Sequence, residues 1–277
     1  MSTLEALVLG IVQGLTEFLP ISSTAHLRIV PALFGWQDPG AAFTAVVQMG
    51  TMAAVLLYFR HDLWNMTVAL LRSIGDRTLW HSGEENARLG WYIVLGTIPI
   101  SILGVLFKDP IEHQARTLEV VGLAMMLFSA VLWQADRTAT RRPDNRRSIH
   151  QVNLRDGVVI GFAQALALIP GVSRSGATMS FGLFQGFTRE AAARYSFLLS
   201  VPAVVLSGLF ELRKVGEGNS AGAAPTAVAT LFAFIFGYLT IAWLLRYIRT
   251  HTFEIFVIYR VAVGFAVFAL AAGGVIS

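Results

Sequence analysis

The 277-residue sequence has no cysteine and few charged residues. The absence of cysteine excludes a disulfide framework, a thiolate metal site and a cysteine nucleophile. Charged residues make up 14% of the chain, compared with about 25% in an average soluble domain. Because a soluble protein of this length needs more charge to cover its surface, the composition argues against a soluble fold.

Basic charge is also too sparse to indicate a nucleic-acid partner. The isoelectric point is near 9.8, yet the net charge is only +4. A nucleic-acid-binding domain would concentrate its basic residues on one face. The first five residues contain no basic side chain, which argues against a secretory signal peptide. We therefore expect no nucleic-acid partner and a first segment that stays in the mature protein.

Long apolar runs account for much of the sequence, which is 55% hydrophobic with a mean hydropathy of +0.62. A helix needs roughly 17–25 mostly apolar residues to cross a bilayer. Six runs qualify, at about 41–59, 89–107, 118–135, 191–212, 226–245 and 256–276. They predict an all-α polytopic membrane protein with six transmembrane helices.

Two further apolar segments are too short to cross a bilayer comfortably and end at Pro20 and Pro170. Each is followed by a polar turn of small residues and a second, moderately hydrophobic stretch. Non-helical backbone at membrane depth is tolerated only inside protein or beside water. The pattern therefore predicts two re-entrant helical hairpins, at about 4–35 and 156–188.

The two hairpin segments resemble each other in sequence. Gln13 and Gln164 precede Pro20 and Pro170. When the two prolines are aligned, Ser23 is the counterpart of Ser173. A unit made of a hairpin and the spans that follow it, present in two copies, is typical of repeated membrane folds. Because three spans, an odd number, separate the copies, the two repeats are expected to be inverted. The predicted organisation is one membrane domain, 1–277, with a first repeat at 1–135, a linker at 136–153 and a second repeat at 154–277.

Arginine is concentrated in and around the central linker. The residues are Arg137, Arg141, Arg142, Arg146, Arg147 and Arg155. Lys and Arg are enriched in the cytoplasmic loops of membrane proteins. We therefore interpret the linker as a solvated cytoplasmic loop and expect both termini on the outer side.

The first polar cluster surrounds Glu17, an ionisable residue within an apolar segment. Gln13 lies four residues earlier and so shares one helix face with Glu17. The hydroxyl residues Ser22, Ser23 and Thr24 and the imidazole of His26 follow Pro20. Each residue alone fits an interfacial position or a helix cap, but ionisable groups at membrane depth are costly and usually functional.

The second polar cluster contains Ser173, Arg174, Ser175 and Thr178. The planar guanidinium of Arg174 suits phosphate oxygens, and a helix that begins near Ser175 would direct its amides at an anion. An anchor at the cytoplasmic face is the alternative interpretation of Arg174. Together the two clusters suit phosphoryl chemistry. Because Glu17 would repel a phosphate, they also suggest a divalent cation, Mg²⁺ or Ca²⁺, with Glu17 among its ligands.

Two strings carry a resemblance to a known family: QGLTEFLPISSTAH, which ends at His26, and PGVSRSGAT, which ends at Thr178. They resemble the signature regions of the undecaprenyl-diphosphate phosphatases, also called bacitracin-resistance proteins. That family removes the terminal phosphate of undecaprenyl diphosphate on the outer side of the bacterial inner membrane. The reaction recycles the lipid carrier of peptidoglycan synthesis, and bacitracin sequesters the same substrate.

The resemblance implies roles for individual residues. The implied catalytic residues are Glu17, Ser23, His26 and Arg174, and the implied phosphate-binding residues are Gln13, Thr24, Ser173, Ser175 and Thr178. Gln13 departs from the fully acidic version of the motif, which puts a metal-ligand or base role for it in doubt. Either Ser23 or His26 would be the nucleophile, and Ser23 is favoured because it would cap a helix beside Glu17 and mirrors Ser173.

The resemblance also implies the partners: a polyprenyl diphosphate lipid, the surrounding membrane lipid and a second copy of the chain. Inverted repeats with broken helices are equally typical of carriers. The competing hypothesis is therefore a secondary transporter or lipid flippase for a polyprenyl phosphate.

The predicted topology can be tested by cysteine labelling, since the natural chain has no cysteine to interfere. A cysteine introduced into the 136–153 linker should react with a membrane-impermeant maleimide only after the cells are opened. Labelling of that cysteine in intact cells would contradict a cytoplasmic linker.

Overall fold

The computed structural model describes residues 1–75, 84–107, 111, 115–141, 146–212 and 222–276. All regular elements within these ranges are helices. The α-helices are α1 (Thr3–Thr16), α2 (Ser23–Phe34), α3 (Gly40–Tyr58), α4 (Arg60–Gly75), α5 (Glu85–Leu106), α6 (Leu118–Arg141), α7 (Leu154–Ala165), α8 (Arg174–Phe184), α9 (Arg189–Leu212), α10 (Ala223–Tyr247) and α11 (Glu254–Ala272). The all-α prediction is therefore confirmed.

Several of these helices have the length and composition of membrane spans. Helices α5, α6, α10 and α11 are each long and apolar enough to cross a bilayer. Helices α3 and α4 together form a fifth apolar segment, bent by 81° at the break between them. Each of the six predicted spans overlaps one helix, but α9 is not among the described helices that have the length and apolar composition of a span. Helix α4 was not predicted because Arg60, His61 and Asp62 interrupt the apolar run.

Two helical pairs, α1–α2 and α7–α8, share one turn geometry. Ser22 and Ser173 are the N-caps of α2 and α8, with φ angles of 75° and 73°. Among the residues that the structure describes, they are the only non-glycine residues with positive φ. The equivalent of Ser173 is therefore Ser22, so the sequence-based match of Ser23 to Ser173 is wrong. Ser23 is equivalent to Arg174, which begins α8 one residue before the predicted Ser175.

The two halves of the chain interlock. Helix α1 of the first half packs on α10 of the second, and α7 of the second half packs on α5 of the first. Both contacts are made at glycine. A Cβ added at Gly10 would lie 2.3 Å from the carbonyl oxygen of Ala229, and one at Gly161 would lie 2.5 Å from the Cα of Gly96. Helical backbones approach this closely only without side chains between them, so each pair is held by a helix of the other half.

The described part of the central linker packs against the protein, whereas its composition predicts a solvated loop. Helix α6 continues to Arg141, and Arg142 lies outside the described residues together with 143–145. Arg147 forms an ion pair of 2.6 Å with Asp156, whose side chain is 2% exposed. Backbone hydrogen bonds also join Arg147 to Gly186 and Thr188. Part of the linker thus packs against the second helical pair, because its arginines find acceptors there.

Candidate functional site

Glu17 is the centre of the candidate site. It caps the C-terminal end of α1 and is 6% exposed. Its Oε2 accepts hydrogen bonds from Gln13 Nε2 at 2.8 Å and from Ser23 Oγ at 2.5 Å. Its Oε1 accepts from Gln48 Nε2 at 2.8 Å and from the guanidinium of Arg174. A carboxylate has about four lone-pair sites, so protein donors saturate this one.

Four helices bring these donors together. Gln13 lies one turn before Glu17 on α1, Gln48 comes from α3, and Ser23 and Arg174 are the first residues of α2 and α8. The ion pair between Glu17 and Arg174 joins the two helical pairs, and the side chains are 4% and 15% exposed. An unpaired charge in apolar surroundings is expensive, so each of these groups depends on the other.

The starts of α2 and α8 have matching hydroxyl arrangements. Ser22 Oγ accepts from Ala25 N, and Ser173 Oγ accepts from Gly176 N. The cap hydroxyls lie 3.2 Å from Thr24 Oγ1 in the first pair and 3.1 Å from Ser175 Oγ in the second. Each arrangement lies at the N-terminus of a helix, where the amides and the helix dipole favour anions.

His26 is linked to α11 and not to Glu17. Its Nδ1 lies 2.7 Å from the carbonyl oxygen of Ser22, and its Nε2 lies 2.7 Å from the hydroxyl of Tyr259. Because a carbonyl only accepts, Nδ1 carries a proton, and in the neutral ring Nε2 accepts from Tyr259. No hydrogen bond connects His26 to Glu17 or Ser23 among the described residues. The serine, not the histidine, contacts the carboxylate.

Two other residues predicted to bind phosphate make contacts within the protein. Thr178 is 1% exposed, donates to the carbonyl of Arg174 at 2.7 Å and lies 2.6 Å from Ser196 Oγ. Ser175 donates to the carbonyl of Leu19 at 2.9 Å. These hydroxyls therefore brace the first turn of α8 against its neighbours in this conformation.

The described residues contain no group of three or more His, Asp or Glu side chains that could hold a metal ion. Glu17 is the one carboxylate at the site, and both of its oxygens already accept hydrogen bonds. A cation would bind this carboxylate only after a donor such as Arg174 or Gln48 moved away. The donor set of this conformation therefore does not fit a cation at Glu17.

Sequence reasoning missed two residues on α11 and did not assign Gln48 to the site. Tyr259 contacts His26, and Arg260 donates to the carbonyl of Pro20 at 2.9 Å. Arg260 is 0% exposed, although it lies inside the predicted span 256–276. An arginine in the interior of an apolar span was the signal that could have found it.

A family model described as the bacitracin resistance protein BacA matches residues 6–266 of the chain. The match covers both helical pairs and every residue that contacts Glu17. The chain belongs to the BacA family.

Several proteins with curated names resemble this chain over its whole length. A Nocardioides protein named undecaprenyl-diphosphatase is 53% identical, with 99% of this chain and 98% of the relative covered. A Streptomyces coelicolor protein named undecaprenyl-diphosphatase 2 is 49% identical, covering 100% of this chain and 97% of the relative. A Thermobifida fusca undecaprenyl-diphosphatase is also 49% identical, with 100% and 93% covered.

The two equivalent glutamines provide a matched test of the Glu17 network. Gln13 and Gln164 are both 0% exposed, but only Gln13 donates to a carboxylate. Neither amide atom of Gln164 has a hydrogen-bond partner among the described residues, because Leu168 occupies the position equivalent to Glu17. Replacing Gln13 with Leu removes a hydrogen bond to a charged group and should destabilise the protein by about 1–3 kcal/mol.

The control variant is Gln164→Leu, which removes a buried polar group that has no partner and should leave the stability unchanged or raised. Thermal unfolding of both variants in one detergent measures the difference. Equal melting temperatures would contradict a stabilising bond from Gln13 to Glu17.

Proposed function

We propose that this chain is an undecaprenyl-diphosphate phosphatase. It hydrolyses the terminal phosphate of undecaprenyl diphosphate to give undecaprenyl phosphate, which returns the lipid carrier to peptidoglycan synthesis and confers bacitracin resistance. The observation that carries the proposal is the contact of 2.5 Å between Ser23 Oγ and Glu17 Oε2. A hydroxyl bound to a carboxylate, beside Arg174 and two helix N-termini, suits attack on a phosphoryl group.

The proposed setting is the bacterial inner membrane, with the reaction on its outer side. The two helical pairs are proposed to enter the membrane from opposite faces as re-entrant hairpins, between six spans in an inverted repeat with both termini outside. The exchanged packing of α1 on α10 and α7 on α5 supports this arrangement. The catalytic unit is proposed to be one domain, which associates as a homodimer in the membrane.

In the proposed mechanism, Ser23 attacks the terminal phosphorus while its proton passes to Glu17. A bond forms between Ser23 Oγ and phosphorus, and the bond from phosphorus to the bridging oxygen breaks to release the lipid monophosphate. Arg174, now paired with Glu17, would turn to the oxygens of the transferred group, beside the amides of α2 and α8. Water then attacks the phosphorus of the phosphoserine, the bond from phosphorus to Ser23 Oγ breaks, and inorganic phosphate leaves as the serine is restored.

An alternative mechanism uses His26 as the nucleophile and forms a phosphohistidine. The contacts with Ser22 and Tyr259 occupy both ring nitrogens of His26, which favours a supporting role over direct attack. Rapid quenching of the enzyme with ³²P-labelled substrate should trap acid-stable phosphoserine at Ser23. Acid-labile label on His26 would overturn the serine mechanism.

The divalent cation expected from the sequence is proposed to accompany the diphosphate, whose oxygens would supply most of its ligands. Phosphate release from farnesyl diphosphate by the detergent-purified protein is the direct test of function. The assay should be run with Mg²⁺, with Ca²⁺ and with a chelator. No release in any of these conditions would overturn the phosphatase proposal and favour the competing flippase, which the exchanged packing of the two halves also suits.

Arg174→Lys should lower turnover roughly 10²-fold or more, the usual cost of losing an oriented donor to a developing charge. Lysine keeps the charge but not the planar fork that binds two phosphate oxygens. The matched control is Arg116→Lys, at a surface pair with Asp38 whose side chains are 20% and 31% exposed. Near-normal turnover in Arg174→Lys would contradict the role assigned to the guanidinium.

A further inference from the structure

Arg260 is a charged side chain buried completely inside the protein. It lies on α11, is 0% exposed and is the largest fully buried side chain in the described part of the chain. No carboxylate of the described residues lies within ion-pair distance of it, since none of their ion pairs includes Arg260. Its charge is instead solvated by carbonyl and hydroxyl oxygens, an arrangement that needs its own explanation.

The guanidinium of Arg260 binds both loops that precede the site helices. Nη1 donates to the carbonyl of Pro20 at 2.9 Å. Nη2 donates to the carbonyls of Gly171 at 3.0 Å and Val172 at 3.1 Å. Pro20 and Gly171 each lie two residues before a cap serine and are equivalent in the two helical pairs. One side chain therefore holds matching points of both loops.

The same guanidinium is anchored on its other edge. Nε donates to Ser129 Oγ at 3.1 Å and lies 3.4 Å from the carbonyl of Met125, both on α6. Helices α6 and α11 pack against each other along their lengths. Arg260 therefore fixes the two loops relative to a rigid pair of helices, and not only relative to each other.

The two loops need such support because each contains a strained residue. Ser22 and Ser173 adopt positive φ, which a residue with a Cβ keeps only when its surroundings enforce it. Ser23 and Arg174 follow immediately, and both contact Glu17. A shift of either loop would therefore move the proposed nucleophile or the proposed phosphate ligand.

We propose that Arg260 is a positioning residue of the active site, which sets the separation of Ser23 and Arg174 by holding the carbonyls of Pro20 and Gly171. The inference rests on the proposed function, because it concerns turnover at that same site. Lysine cannot replace this arginine, since a compact ammonium group lacks the rigid fork that reaches both loops and α6 at once.

The first experiment compares Arg260→Lys with the wild type in phosphate release from farnesyl diphosphate. A misplacement of about 1 Å lowers turnover roughly 10²-fold, so kcat should fall by that order while KM stays nearly constant. The control is Arg28→Lys on α2, where the arginine pairs with Asp38 at 3.5 Å near the surface. Its kcat should equal that of the wild type.

The second experiment measures the relative position of the two helices that follow the loops. Cysteines introduced at Phe34 on α2 and Phe184 on α8, which are 66% and 43% exposed, carry spin labels in an otherwise cysteine-free chain. Electron–electron distance measurements in lipid nanodiscs should give a narrow distribution in the labelled parent. Arg260→Lys should broaden or shift that distribution, and Arg28→Lys should leave it unchanged.

The combined outcomes separate a positioning role from other roles. A normal kcat in Arg260→Lys would overturn the proposal. If KM rose while kcat stayed normal, the result would indicate direct contact between Arg260 and the substrate. A lower melting temperature with an unchanged distance distribution would also overturn it, because the effect would then be general stability. If the wild type releases no phosphate, the proposed function fails, while the distance measurement still tests how Arg260 holds the loops.

Discussion

The buried ion pair between Glu17 and Arg174 is the interaction on which the rest of the site depends. The two side chains are 4% and 15% exposed. Neither charge would be tolerated there alone. Since Glu17 belongs to the first helical pair and Arg174 to the second, their contact also determines how the pairs meet. The same carboxylate holds Ser23, so the stabilising interaction and the proposed chemistry share one group.

The repeated backbone carries different residues in its two copies, and that difference produces one site from two similar turns. Ser22 and Ser173 repeat the same strained cap, but Glu17 is matched by Leu168 and Ser23 by Arg174. The first pair thus supplies the carboxylate of Glu17 and the hydroxyl of Ser23, and the second supplies the guanidinium of Arg174. Gln164 is equivalent to Gln13 but has no carboxylate beside it, and its amide atoms have no hydrogen-bond partner among the described residues.

Burial of a second arginine follows from the irregular backbone of the two loops. Carbonyl groups in a helix break have no helical partner, and in apolar surroundings an unsatisfied carbonyl is costly. Arg260 supplies several donors from one planar group, and it reaches the carbonyls of Pro20, Gly171 and Val172. The charge that would be expensive in lipid is thus stabilised by the acceptors that most need a donor.

The sequence alone predicted the helical class, the positions of six apolar helices, and the importance of Gln13, Glu17, Ser23 and Arg174. The helical class, the apolar segments and the two charged residues follow from composition, because the length of an apolar run and the cost of a charge within it do not depend on how distant segments pack. Gln13 and Ser23 were identified by their spacing from Glu17 and by the resemblance to a known family. Only the tertiary structure showed that Gln48, Tyr259 and Arg260 join the site. Their partners lie 31, 233 and 240 positions away along the chain. No local pattern records such contacts, since they arise when α3 and α11 pack against the helical pairs.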